Sequence, residues 1–63
     1  MPRYPECFVR VTDGAPLVTI LERTDRAMRN AGISSARRGE FKACLPHTYA
    51  LAVDYIREWC ETD

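Results

Sequence analysis

The sequence holds a single histidine, three cysteines, no surplus of either charge and no long apolar run. Each scarcity excludes something. No stretch approaches the roughly 18 apolar residues that a membrane span needs, and the opening Met1-Pro2-Arg3-Tyr4-Pro5-Glu6 lacks the apolar centre of a signal peptide. A cytoplasmic protein without membrane association is therefore expected. Cys7, Cys44 and Cys60 are odd in number and form no Cys-x-x-Cys pair, a poor match to a secreted disulfide framework, so reduced thiols are expected. With nine basic residues against nine acidic ones, no global charge steers the chain toward nucleic acid or acidic lipid.

Reactive groups are equally sparse. Cys44 and His47 are close enough in sequence to suggest a thiolate beside an imidazole, an activated nucleophile. Such a pair needs a pocket and an oxyanion site, for which 63 residues offer little room, so no catalytic residue is assigned and no enzyme is expected. Cys44-x-x-His47 with Cys7 and Cys60 also supplies a zinc ligand count of three sulfurs and one nitrogen. Those four residues are scattered over three expected elements, and free cysteine is commonly buried for packing reasons alone. No metal or other cofactor is expected, although the sequence leaves open whether the four converge.

What is present is the composition of a globular protein, 46% apolar and 29% charged. A chain of 63 residues forms one domain with one core and removes only roughly 60% of its unfolded surface from water. A core of that size rarely supplies more than about 3–5 kcal/mol. Association with a protein partner, or with a second copy in a homodimer, is part of the expectation.

The spacing of residue types predicts a mainly α protein, a compact three-helix bundle with a short N-terminal β-strand or extended arm. Pro2 and Pro5 make residues 1–6 the arm, and the β-branched and aromatic residues of 7–12 read as a strand that ends in a turn at Asp13-Gly14. Helices are expected over 16–31, 35–45 and 48–61. Pro16 suits the first helical turn, Gly32 stops the first helix, Ser34 or Ser35 caps the second and Thr48 the third. Apolar residues at helical spacing make Leu17, Ile20, Leu21, Met28, Phe41, Leu45, Val53, Ile56 and Trp59 the expected core. No second strand is visible for 7–12, which must find a partner elsewhere or lie across the helices.

Charge is unevenly spread. Residues 23–42 carry Arg23, Arg26, Arg29, Arg37, Arg38 and Lys42 against Asp25 and Glu40, a net of four positive charges, while residues 43–63 carry a net of three negative ones. Arg26, Arg29, Arg37, Arg38 and Lys42 are the candidate nucleic-acid contacts. Ala27 to Phe41 can be compared with a helix-turn-helix, with Gly32-Ile33-Ser34 as its turn, but Arg38 stands where the second helix should present an apolar residue to the first. The candidate protein interface is Leu51 and Tyr55, which widen the apolar arc of the last helix, with Phe8 and Arg10 on the strand. Tyr49 and Trp59 are expected in the core.

The order of landmarks resembles a group of short uncharacterised proteins of bacterial, plasmid and phage genomes. They are Asp13-Gly14, Arg26-Ala27-Met28-Arg29-Asn30-Ala31-Gly32-Ile33-Ser34, Glu40-Phe41, Tyr49 and Trp59. The chain departs from that group at Ala15-Pro16, where the group has an asparagine after Asp-Gly, and at Leu45-Pro46-His47, where it has a Ser-Gly-Asp turn. The resemblance implies no activity. It implies a non-enzymatic accessory protein of a mobile element or phage, acting by binding a host or phage protein; the basic charge of residues 23–42 makes nucleic-acid binding the alternative.

Overall fold

The chain runs β1 (Tyr4–Val9), α1 (Leu17–Asn30), α2 (Ser35–Ala43), α3 (Tyr49–Trp59) and β2 (Cys60–Thr62) in a computed structural model that describes residues 1–12 and 14–62. It is mainly α, and its two strands lie side by side in parallel.

The helices follow the signals in the sequence. Pro16, with φ −59°, is the N-cap of α1, just outside the first turn, and its carbonyl accepts from the amides of Thr19 and Ile20 at 3.0 and 3.2 Å. At the other end Gly32 takes φ +81°, a conformation glycine adopts without a Cβ clash. Its amide donates to the Arg29 carbonyl and that of Ile33 to the Met28 carbonyl, each at 3.0 Å, so the last carbonyls of α1 are satisfied by a Schellman motif. Ile33 and Met28, joined by that bond, are both in the core. The Ser34 hydroxyl caps α2 by accepting from the Arg37 amide at 3.2 Å. Thr48 is the N-cap residue of α3, but its side chain makes no capping bond. The expected turn at Asp13-Gly14 lies partly outside the described residues, since Asp13 is not among them; Gly14 has φ +83° and the Ala15 amide donates to the Thr12 carbonyl at 3.0 Å.

The strands depart from expectation. β1 begins at Tyr4 and ends at Val9, so half of the expected arm over 1–6 is strand and Val11-Thr12 is not. The cause is β2, which forms where the third helix was expected to continue to residue 61. The backbone leaves α3 at Cys60, with φ −129° and ψ 156°, and pairs Tyr4 with Cys60, Phe8 with Glu61 and Val9 with Thr62. From Tyr4 to Phe8 the ladder is irregular, β2 advancing by a single residue. Pro5 lies in that stretch and has no amide to donate, which suits it to a bulge. Just before the strand, the Arg3 amide donates to the Glu58 carbonyl of α3 at 3.0 Å, tying the start of the chain to the end of the last helix. The lone strand of the sequence reading is therefore paired along one edge.

β1 packs against both β2 and α1, and β2 follows α3 without a break. This explains the core. Ile20, Met28, Phe41, Val53, Ile56 and Trp59 are buried as expected, and the strands add Cys7, Val9 and Cys60. Ile33 and Ala52 are buried as well, whereas Leu17, Leu21 and Leu45 are only half-buried. Thr24, the buried polar residue, donates its hydroxyl to the Ile20 carbonyl at 2.8 Å.

Trp59 is the hub of an aromatic cluster. Its ring lies 5.9 Å from Tyr4, 5.3 Å from Phe41 in an edge arrangement and 6.1 Å from Tyr55, with the Arg3 guanidinium 4.7 Å from its centroid. Truncating it unpacks β1, α2 and α3 at once. Trp59→Ala should cost about 3–5 kcal/mol, comparable with the whole stability expected of a core this small. Thermal melting followed by far-UV circular dichroism checks this, and a cooperative melt near the parent temperature would show that the core is centred elsewhere.

Candidate functional site

β1 has two edges and β2 covers one. Beside β1 runs a groove of about 560 Å³, lined by Glu6, Phe8, Val9 and Arg10 from the strand and its end and by Arg23, Arg26, Ala27, Asn30 and Ala31 from α1. None of these residues belongs to β2. Strand alternation creates this wall: Cys7 and Val9 point into the core, so Glu6, Phe8 and Arg10 point away from it. Helical spacing creates the other, since Arg23, Arg26, Ala27 and Asn30 recur three and four residues apart on one face of α1.

The groove is amphipathic and positively charged. Phe8 is 52% exposed there, a high value for a ring on a small protein. Among the described residues that line it are Arg10, Arg23 and Arg26 and the one carboxylate of Glu6. The Arg23 guanidinium is held in place by donating to the Arg10 carbonyl at 3.3 Å and to the Thr12 hydroxyl at 3.2 Å. The chain just past β1 is thereby fastened to α1.

Of the expected protein-interface residues, Phe8 and Arg10 line this groove, and Leu51 is exposed on α3, outside it. Tyr55 is less exposed than the sequence suggested. It is half-buried, its ring lies 5.0 Å from Phe41, and its hydroxyl donates to the Phe41 carbonyl at 2.9 Å, joining α3 to α2. Burial raises its phenol pKa above the ordinary value. Tyr49, expected in the core, is instead exposed, and its hydroxyl donates to the Ala15 carbonyl at 3.2 Å. The two tyrosines exchange roles because α3 turns its Tyr55 edge toward Phe41.

The basic stretch is largely engaged with its own acids. Asp25 lies 3.0 Å from Arg29, 3.5 Å from Arg38 and 3.4 Å from Lys42, while Arg37 meets Glu40 at 3.0 Å. Arg38, the residue out of place for a helix-turn-helix, also donates to the Ile33 carbonyl at 2.7 Å. It thus bridges α2 to the turn and to α1 by charge and hydrogen bonding where that motif uses an apolar contact. Behind these ions, Leu21, Met28, Phe41 and Leu45 border a small pocket of about 140 Å³.

The sulfur groups divide. Cys7 and Cys60 meet in the core with their sulfur atoms 2.8 Å apart, while Cys44 and His47 are exposed around the α2–α3 connection. The four residues of the zinc reading therefore do not converge, and among the described residues no group of three or more metal-ligating side chains is present. No described helix is long and apolar enough to cross a membrane. Sequence reasoning missed Glu6, Arg23 and Asn30 as groove residues. The three-and-four spacing along α1 marked Arg23 and Asn30, but only the placement of β1 beside that face turns it into a groove.

Asp25 is the test of the charge network. An exposed ion pair is worth about 0.2–1 kcal/mol and is weakened by salt. With three cations on one carboxylate, Asp25→Asn should lower stability by about 1–2 kcal/mol at low ionic strength and by clearly less in about 1 M salt. Urea melts at the two salt concentrations measure this, and an equal loss at both would show that the carboxylate acts through something other than charge. In comparison with known proteins, the chain matches no family model, no curated protein and no solved structure.

Proposed function

We propose that this chain is a non-enzymatic binding module that captures an extended, acidic segment of a partner protein along β1, in the groove between that strand and α1. In this reading the three helices, packed as a bundle against the strand pair, are the scaffold. The module serves a mobile element or phage by occupying a host or phage protein.

The observation that carries the reading is the combination in one groove of a strand with one edge left uncovered by β2, the half-exposed Phe8, and the exposed Arg26 of α1. A strand edge offers main-chain donors and acceptors that an incoming extended segment can pair with, and neighbouring side chains then select what it carries. An apolar side chain of the partner packs on Phe8. Carboxylates of the partner meet Arg26, which favours fast encounter and excludes basic segments.

A second copy fits the groove less well. Its own β1 region brings Arg3 and Arg10 with Glu6, a positive segment offered to a positive groove. The nucleic-acid alternative relies on Arg26, Arg29, Arg37, Arg38 and Lys42, four of which are already paired with Asp25 or Glu40. The arginine density of the groove is accompanied by Phe8 and Ala27, which suits a peptide better than a phosphate backbone.

The test is a peptide array of extended segments that alternate apolar with acidic, neutral or basic residues, followed by fluorescence anisotropy on the tightest binders. Acidic segments should be preferred, and Arg26→Glu and Phe8→Asp should each weaken binding about tenfold or more, about 1.4 kcal/mol. A preference for basic segments, or binding unaffected by both substitutions, would overturn the reading. Duplex DNA bound more tightly than any peptide, with affinity falling steeply as salt rises, would replace it with the alternative.

A further inference from the structure

The pair Cys7 and Cys60 is used by nothing in the binding reading, and it stands independently of that reading. We propose that it is a redox modification site: two thiols that a low-molecular-weight disulfide converts into an intramolecular disulfide joining β1 to β2.

Geometry carries the inference. The two sulfur atoms are 2.8 Å apart, although the residues are 53 positions apart in sequence. A disulfide of about 2.0 Å is reached by closing about 0.8 Å, a movement that side-chain rotation on adjacent strands can supply. Cys60 pairs with Tyr4 in the ladder, and Cys7 lies within the irregular stretch that follows, so strand pairing itself holds the two thiols together. No other donor competes for them, since Cys44 is exposed at the end of α2 and among the described residues no metal-binding cluster includes them.

The surroundings decide when the reaction occurs. Both cysteines are almost wholly buried, and burial pushes both thiols above their ordinary pKa, so the nucleophilic thiolate is scarce in the closed fold. β2 is only three residues long and ends the described chain. Opening of the β1–β2 pair uncovers Cys7, Val9 and Cys60 and is therefore rare, which makes the reaction slow, and each opening exposes Cys60. Its thiolate, once the proton is lost to water, attacks one sulfur of oxidised glutathione; the glutathione S–S bond breaks and one glutathione thiolate leaves. When β2 closes again, the Cys7 thiolate attacks the Cys60 sulfur of this mixed disulfide, the bond to glutathione breaks and the second glutathione thiolate leaves. The protein gives up two electrons and two protons, and one glutathione disulfide becomes two glutathione thiols. Because strand pairing favours the second step, the internal disulfide outlasts the mixed one and then covalently closes the chain from β1 to β2.

The experiment uses the Cys44→Ser protein, in which the exposed third thiol cannot react, incubated with oxidised glutathione over a series of glutathione ratios. Intact mass should fall by about two mass units, the two hydrogens removed. After denaturation the oxidised protein should accept no alkylating agent, and its melting temperature should be raised by about 5 °C or more until a reductant restores it. A stable gain of one glutathione, a covalent dimer, or two thiols still open to alkylation would overturn the proposal. Cys7→Ser/Cys44→Ser gives the check on pathway: it should stop at the mixed disulfide with one glutathione gained at Cys60, and a variant that gains none would overturn the assignment of Cys60 as the attacking thiol.

Discussion

The first strand and the last three described residues of the chain depend on each other. β1 cannot satisfy its backbone alone, and β2 is far too short to persist alone, yet paired they bring Cys7, Val9 and Cys60 into the core next to Trp59. The pairing spans almost the whole sequence, so its loop-closure cost must be offset by what it buries. The Arg3 amide on the Glu58 carbonyl and the Arg3 guanidinium over Trp59 reinforce the same junction. β2 covers one edge of β1, and the groove between β1 and α1 contains no residue of β2.

The helices were legible because each carried its own local signal. Pro16 marked the start of α1, Gly32 its end, Ser34 the start of α2, and the apolar spacing selected six of the buried residues. β2 was not legible. Cys60 continues the apolar spacing of α3, no glycine or proline interrupts Trp59-Cys60-Glu61-Thr62, and three residues are too few for strand alternation to show. With β2 unseen, β1 had no register, and its expected boundaries fell three residues late. Tyr49 and Tyr55 were misassigned for a related reason, since both border the α3 stripe and only the position of Phe41 decides which one is covered. Within the groove, Phe8, Arg10 and Arg26 were singled out from sequence, but as members of separate candidate surfaces; their convergence is a consequence of tertiary packing.

Charge plays two distinct parts. In the middle of the chain, Asp25 gathers Arg29, Arg38 and Lys42, so much of what reads in sequence as a basic face serves to hold α2 against α1. Arg23 and Arg26, also on α1, line the groove beside β1 and give it its sign. α1 thus contributes Asp25 and Arg29 to the ion network that meets α2, and Arg23 and Arg26 to the wall of the groove.

β2, although only three residues long, is required for the fold as a whole. The direct measurement is the thermal unfolding of a chain ending at Trp59, followed by far-UV circular dichroism and compared with the full-length protein. Removal of β2 leaves β1 unpaired and takes the Cys60 side chain out of the core, and the account predicts that the cooperative transition is lost or falls by about 15 °C or more, as a loss of several kcal/mol would require at this size. A shortened chain that unfolds cooperatively within a few degrees of full length would contradict the account and show that the three helices fold without the strand pair.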